Sequence, residues 1–260
     1  MATYTNSVIS ATLTTALGGT PGVGDTANLT QGSIIYQAGI VLTGTLTAIL
    51  GTSGFSGGFD PNPLEADVTT LNMQWSGNVW RHKGNITTAI LDAAAGGLFA
   101  PVSGTTTNFY GKSGTAYFVD SAVVTNAWVA APVGSSVQAT FTTCGTAITA
   151  MTVGNNASVL LQRDITTLNQ DGGETTIDST TVTPTTINMR GGTLRPKTMG
   201  TCTTLTATGG IIDFRQLTAD VTFTTANLYP GVTIYMPRPG LTVTFTTRND
   251  FGGGPRLVYA

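Results

Sequence analysis

The chain has 260 residues, long enough to bury a core, and carries 11 basic against 13 acidic side chains for a formal net charge of -2. So few and so scattered cations exclude the electrostatic footprint of a nucleic-acid binder, and 40% apolar residues at near-zero charge exclude a disordered chain. Charged residues are 9% of the total, against about 25% in typical globular proteins, while threonine numbers 52 and glycine 33. The surface is therefore expected to be hydroxyl-rich.

Residues 1–33 alternate short β-prone pieces with Gly-Gly, Pro-Gly and Gly-Asp turn signals and read as an N-terminal cap or attachment arm. The opening MATYTNSVIS lacks the basic and apolar regions of a secretory signal, so assembly in a cytoplasm is expected. The β-helix body is assigned to 34–260. Its first part, SIIYQAGIVLTGTLTAIL (33–50), is the most apolar stretch, but Gln37, Gly39, Thr43, Gly44, Thr45 and Thr47 interrupt it. It reads as strands and not as a membrane span. GTSGFSGGFDPNPLEAD (51–67) is the one long run without a strand pattern. It is either a surface loop pinned by buried Phe55 and Phe59 or a contact loop that presents them to a neighbouring chain.

VTTLNMQWSGNVW (68–80) opens a phrase that recurs: threonines and β-formers, a few polar residues, a turn pair, then another β run. Trp80, Arg81, His82 and Lys83 follow, read as an exposed basic turn or as an interaction hot spot. ITTAILDAAA (86–95) is the one place where a short helix could form, and its β-branched start and following Gly-Gly argue against it. The phrase weakens over 105–138 and is strongest over 148–260. There the turn pairs begin at Asn155, Gly172, Gly191, Gly209, Pro230 and Gly252, in steps of 17, 19, 18, 21 and 22 residues. Asn155-Asn156 is admitted because Asn tolerates the positive φ that Gly supplies at the other turns. A near-constant step is the signature of stacked coils. The expected fold is all-β, a parallel β-helix with coils of about 17–22 residues and capped ends, with an antiparallel β-sandwich as the alternative.

Chemistry is sparse. Asp171, Glu174 and Asp178 form the densest acidic group, but they flank a Gly-Gly turn, where acidic residues are ordinary turn formers rather than an acid–base pair. His82 is the single histidine, so a two-histidine metal site is excluded, and no catalytic, cofactor or metal residue is assigned. GGTPGVG (18–24) lacks the Lys-Ser/Thr of a phosphate loop. Cys144 and Cys202, 58 residues apart, read as two buried thiols. Trp75, Trp80, Tyr110 and Trp128 are candidates for stacking on sugars. The closing FGGGPRLVYA (251–260), with Arg256 and Tyr259, reads as the cap of the last coil or a strap to a neighbour.

DTANLTQGS (25–33), GFSGG (54–58), GNITTAILDAAAGG (84–97), the late ITTLN and Gly-Gly copies, TTLTATGGIIDFRQ and NLYPGVTI together resemble the repetitive β-helical virion proteins of tailed bacteriophages, over most of the chain. The resemblance implies a non-enzymatic capsid decoration (cement) protein or head fibre, homotrimeric, seated on the major capsid protein at the virion surface. Neither nucleic acid nor membrane is an expected partner. It carries over no catalytic residue. Contacts are expected at the termini and around Phe55, Phe59, Trp80, Arg81, His82, Arg256 and Tyr259. A tail-fibre or receptor-binding adhesin of the same fold is the second expectation. An ice-binding solenoid, suggested by the loose Thr-X-Thr runs at 206–208 and 242–246, is a remote third.

Overall fold

Paired strands run parallel throughout the computed structural model, which describes residues 2–5, 20, 22–29, 41–52, 59–75, 79–93, 97–119, 121–142 and 146–259. The chain is all-β, with stacked parallel coils of the β-solenoid class, and no helix occurs among the described residues. It divides into two compact units, Met1–Asn126 and Ala127–Ala260.

The N-terminal unit contains β1 (Thr3–Thr5), β2 (Thr26–Leu29), β3 (Val41–Gly51), β4 (Phe59–Met73), β5 (Val79–Lys83), β6 (Ile86–Asp92) and β7 (Leu98–Phe118). One ladder runs β1, β2, β3, β4, β6, β7, with Thr3, Thr26, Ala48, Thr70, Thr88 and Asn108 in successive register. A second joins the first half of β4 to β5 and β5 to the first half of β7. Inside lie Leu46, Ile49, Val68, Leu71, Ile86, Ala89 and Leu91, together with Phe99, Phe109 and Phe118. Phe109 and Phe118 meet edge to face at 5.0 Å and Trp75 meets Trp80 at 5.5 Å, so aromatic pairs fill part of this interior.

One expectation is corrected here. The run 51–67 is not a loop throughout, because β4 begins at Phe59. Leu64, Ala66 and Val68 alternate inward against Pro63, Glu65 and Asp67, a period-2 pattern that the two prolines and a register shift between Phe59 and Leu64 disguise. Phe55 lies outside the described residues. The segment 86–95, whose β-branched start and following Gly-Gly argue against a helix, forms β6 over its first seven residues, as expected.

β8 (Ser121–Val129) spans the point where the units meet in sequence, and the C-terminal unit continues with β9 (Val137–Phe141), β10 (Ile148–Val153), β11 (Ala157–Leu161), β12 (Ile165–Gln170), β13 (Glu174–Asp178) and β14 (Thr186–Met189). After these come β15 (Thr193–Thr198), β16 (Cys202–Ala207), β17 (Gly210–Asp213), β18 (Val221–Leu228), β19 (Val232–Tyr235), β20 (Val243–Asp250) and β21 (Arg256–Val258). Even-numbered strands from β10 to β20 form one parallel ladder and odd-numbered strands from β9 to β21 a second. Ala150, Thr167, Thr186, Thr204, Thr225 and Thr247 are in register, at the same steps of 17, 19, 18, 21 and 22 read from the turn pairs.

β10, β12 and β16 share one burial pattern, in which two consecutive residues face outward between inward ones. A straight strand alternates strictly, so the outward pairs Thr149-Ala150, Thr166-Thr167 and Thr203-Thr204 mark corners where alternation slips by one residue. Met151, Leu168, Ile187, Leu205 and Ala226 then stack inward in one column. Each fully buried aliphatic side chain contributes about 1.5–3 kcal/mol, and only against its neighbours, because one coil alone has no interior.

The second member of each turn pair takes positive φ: Asn156 at 55°, Gly173 at 57°, Gly192 at 72°, Gly210 at 91°, Gly231 at 94° and Gly253 at 103°. The turns also sit on one another. The Thr193 amide donates to the Gly173 carbonyl at 2.8 Å and the Ile211 amide to the Gly192 carbonyl at 2.9 Å. A Cβ on Gly192 would lie 2.4 Å from the carbonyl of Gly172. Gly192→Ala is therefore expected to cost about 2–4 kcal/mol, since strained backbone and a clash combine. Urea unfolding checks this against Thr203→Ala, whose exposed side chain makes it a near-silent control, and matching midpoints for the two variants would refute the tight-turn account.

Candidate functional site

The acidic group at 171–178 is matched cation for anion by the next coil. Asp171 pairs with Arg190 at 2.5 Å, Asp178 with Lys197 at 2.8 Å, and Glu174 with Arg195. In the N-terminal unit Glu65 pairs with Lys83 at 3.0 Å. Asp213 accepts from the Nε and a terminal nitrogen of Arg215, both at 2.8 Å, while that guanidinium lies 4.1 Å over the ring of Tyr235. These bonds hold the Asp213 carboxyl below its ordinary range. Exposed pairs of this kind add little stability individually. A carboxylate tied to a cation is also the wrong form for a general acid. The group fixes how one coil sits on the next.

The run Trp80 to Lys83 is not an exposed turn but most of β5, and strand alternation sends Trp80 and His82 into the core with no exposed surface. Arg81 is half-buried and Lys83 reaches Glu65. The His82 Nε2–H donates to the Ala66 carbonyl at 2.8 Å, and Nδ1 has no partner among the described residues. Burial lowers the imidazole to about 4. Trp75 is fully buried as well, so neither it nor Trp80 stacks on a ligand, whereas Tyr110 and Trp128 are each 39% exposed. Phe59 begins β4 opposite Trp80 in register. Arg256 lies in β21 opposite Thr233, so the C-terminal run forms the second strand of the last coil, with Tyr259 exposed beyond it. Cys202 is buried and its thiol is pushed up to about 12 by that burial, which makes it a packing residue. Cys144 lies outside the described residues.

Outward-facing polar side chains form columns. In the C-terminal unit Asn169, Asn188, Thr206, Asn227 and Asn249 are in register. The Asn188 amide donates to Asn169 at 3.0 Å and Asn249 to Asn227 at 2.9 Å. In the N-terminal unit Asn126 donates to Asn108 at 3.2 Å. The column next to the threonines is thus mainly asparagine, with its amides engaged between coils.

A second column stands on the odd-numbered strands, where Glu174 pairs with Arg195 of the next coil. Gln138, Ser158, Glu174 and Thr193 stand in register on β9, β11, β13 and β15, and they line an open groove of about 540 Å³ together with Ser136 and Asn156. Asn156 pins the 131–136 segment at its side: its side-chain amide donates to the carbonyls of Ala131 at 3.4 Å and Pro132 at 3.2 Å. Backbone bonds from Ala131 to Asn155 and from Val137 to Asn156 reinforce that contact. Beneath, the buried Gln170 donates to the Gly172 carbonyl and accepts from Thr175, both at 2.5 Å, bracing the turn at the groove floor. Sequence reading did not single out this column. Its one visible signal was Asn155-Asn156 standing where the other turns carry Gly-Gly or Pro-Gly.

Among the described residues no group of three or more His, Cys, Asp or Glu side chains is placed to hold a metal ion, and no helix is long and apolar enough to cross a membrane. Fold and surface together define a parallel β-solenoid with polar ladders and a polar groove in its C-terminal unit. No family model, no curated protein and no solved structure matches the chain.

His82 makes the fold acid-sensitive in a defined window. Its folded value of about 4 lies below the ordinary 6.5, so as pH falls below 6.5 the unfolded chain takes up a proton that the folded chain refuses. Stability is therefore complete above pH 6.5, declines between 6.5 and 4 by about 3 kcal/mol, and stops changing for this group below 4. Asp213, held below the ordinary carboxylate value, loses its contribution at lower pH still. Urea unfolding at pH 7.0 and 4.5 measures the slope, which His82→Gln is expected to remove; an unchanged slope in that variant would contradict the assignment.

Proposed function

We propose that this chain is a non-enzymatic structural protein of a tailed-phage virion, a homotrimeric decoration protein seated on the major capsid protein. The motif resemblance suggests the context. The observation that carries the structural reading is that charged and amide side chains are mostly spent between coils, as in Asp171–Arg190, Asp178–Lys197 and Asn188–Asn169. Such a surface resists unravelling and leaves little free chemistry. Low charge and abundant threonine keep it soluble, and identical subunits close around a threefold axis when their side faces match.

Sedimentation equilibrium of the purified chain is expected to give three times the monomer mass. Shells assembled from the major capsid protein encoded with it are expected to take it up saturably, with density at threefold positions in electron microscopy. Replacing the exposed Arg256 and Tyr259 by alanine removes candidate contacts without deleting a strand pair, and is expected to lower occupancy about tenfold. A stable monomer with no affinity for the shells would end this reading.

A further inference from the structure

We infer that the groove on the odd-numbered strands of the C-terminal unit binds a neutral oligosaccharide lying along the coil axis. It presents one polar side chain per coil, Gln138, Ser158, Glu174 and Thr193, in strict register. At about 4.8 Å per coil the four span about 14 Å, the reach of a short glycan. Amides and hydroxyls both donate and accept, which suits a ligand that carries a hydroxyl on nearly every carbon. The single carboxylate, Glu174, is already paired with Arg195, so the groove has no net charge with which to select an anion.

Other ligand classes fit less well. Val137 and Ala157, the apolar lining residues, are buried beneath the column, leaving an apolar ligand little to cover. An extended peptide would dock by adding a strand, but β11 is paired with β9 and β13, and β13 with β11 and β15.

The side wall is held deliberately. Asn156 is a non-glycine residue at positive φ, at a turn position where the following coils use glycine. Its side chain repays that strain by fixing the carbonyls of Ala131 and Pro132. The segment so held carries Val133, 99% exposed, and ends at Ser136 on the groove. A wall locked in advance loses less entropy when a ligand is bound.

This inference does not depend on the virion reading, since capsid occupancy and sugar binding are measured separately and either can fail alone. Binding to the full chain is measured by NMR shift perturbation and calorimetry with maltose, cellobiose and chitobiose and their tetrasaccharides. Sialyllactose and tetragalacturonate serve as acidic comparators. At least one neutral tetrasaccharide is expected to bind about tenfold more tightly than its disaccharide, with shifts centred on Ser158 and Thr193. Gln138→Ala combined with Ser158→Ala is expected to weaken it at least tenfold. Asn156→Gly, which keeps the backbone conformation while releasing the wall, is expected to weaken it severalfold with an unchanged urea midpoint. Thr203→Ala, on the other ladder, leaves it unaltered. No binding of any neutral probe below 10 mM, binding of the acidic probes alone, or binding indifferent to the Gln138 and Ser158 changes would each overturn the inference.

Discussion

Parallel coils stacked at the inter-strand spacing of about 4.8 Å impose one rule on each unit: every residue sits above its counterpart in the coil before. At the turns the rule is steric. Gly192 sits on Gly172 so closely that no side chain fits between them, and its backbone must be left-handed as well. On the outer faces the rule becomes chemical, because like or complementary groups meet at every step. Asparagine over asparagine gives amide ladders, and arginine or lysine over an acid gives ion pairs one coil apart. The low charge of the chain follows naturally, since an unmatched charge in such a column would face its neighbours at close range.

The interior follows the same rule with apolar groups and admits few exceptions. Gln170 occupies a position filled by Val153, Met189, Ala207 and Leu228 in neighbouring coils, and its hydrogen-bonding capacity goes to Gly172 and Thr175. His82 is a further exception, uncharged and bonded to Ala66 through one nitrogen, and the fully buried Arg163 is another, donating through Nε to the Thr142 carbonyl at 3.1 Å. Gln170 lies under the groove and His82 beside the tryptophan pair. A polar residue in such an interior is tolerated only where a backbone group takes up its bonds.

The repeat was legible because parallel stacking preserves period. The steps read from Asn155, Gly172, Gly191, Gly209, Pro230 and Gly252 are those of the strand register, and Asn156 adopts the left-handed backbone that its place in the phrase required. Less was legible where the pattern was masked. Pro61 and Pro63 concealed the strand at 59–73, and the charges around His82 suggested a surface turn although strand alternation buries the imidazole. The groove was illegible for a different reason: Gln138, Ser158, Glu174 and Thr193 come from four separate coils and share no local motif.

The sequence by itself determined the fold class, the coil length, the turn chemistry and the scarcity of acid–base groups, because these depend on local spacing and on composition. Only the tertiary structure decided which acids meet which cations, which aromatics are buried, and which polar column is left open to solvent. Those outcomes depend on how far each coil is offset from the last, and a step that varies from 16 residues between Ser158 and Glu174 to 23 between Thr3 and Thr26 brings distant side chains together in ways that no single stretch of chain records.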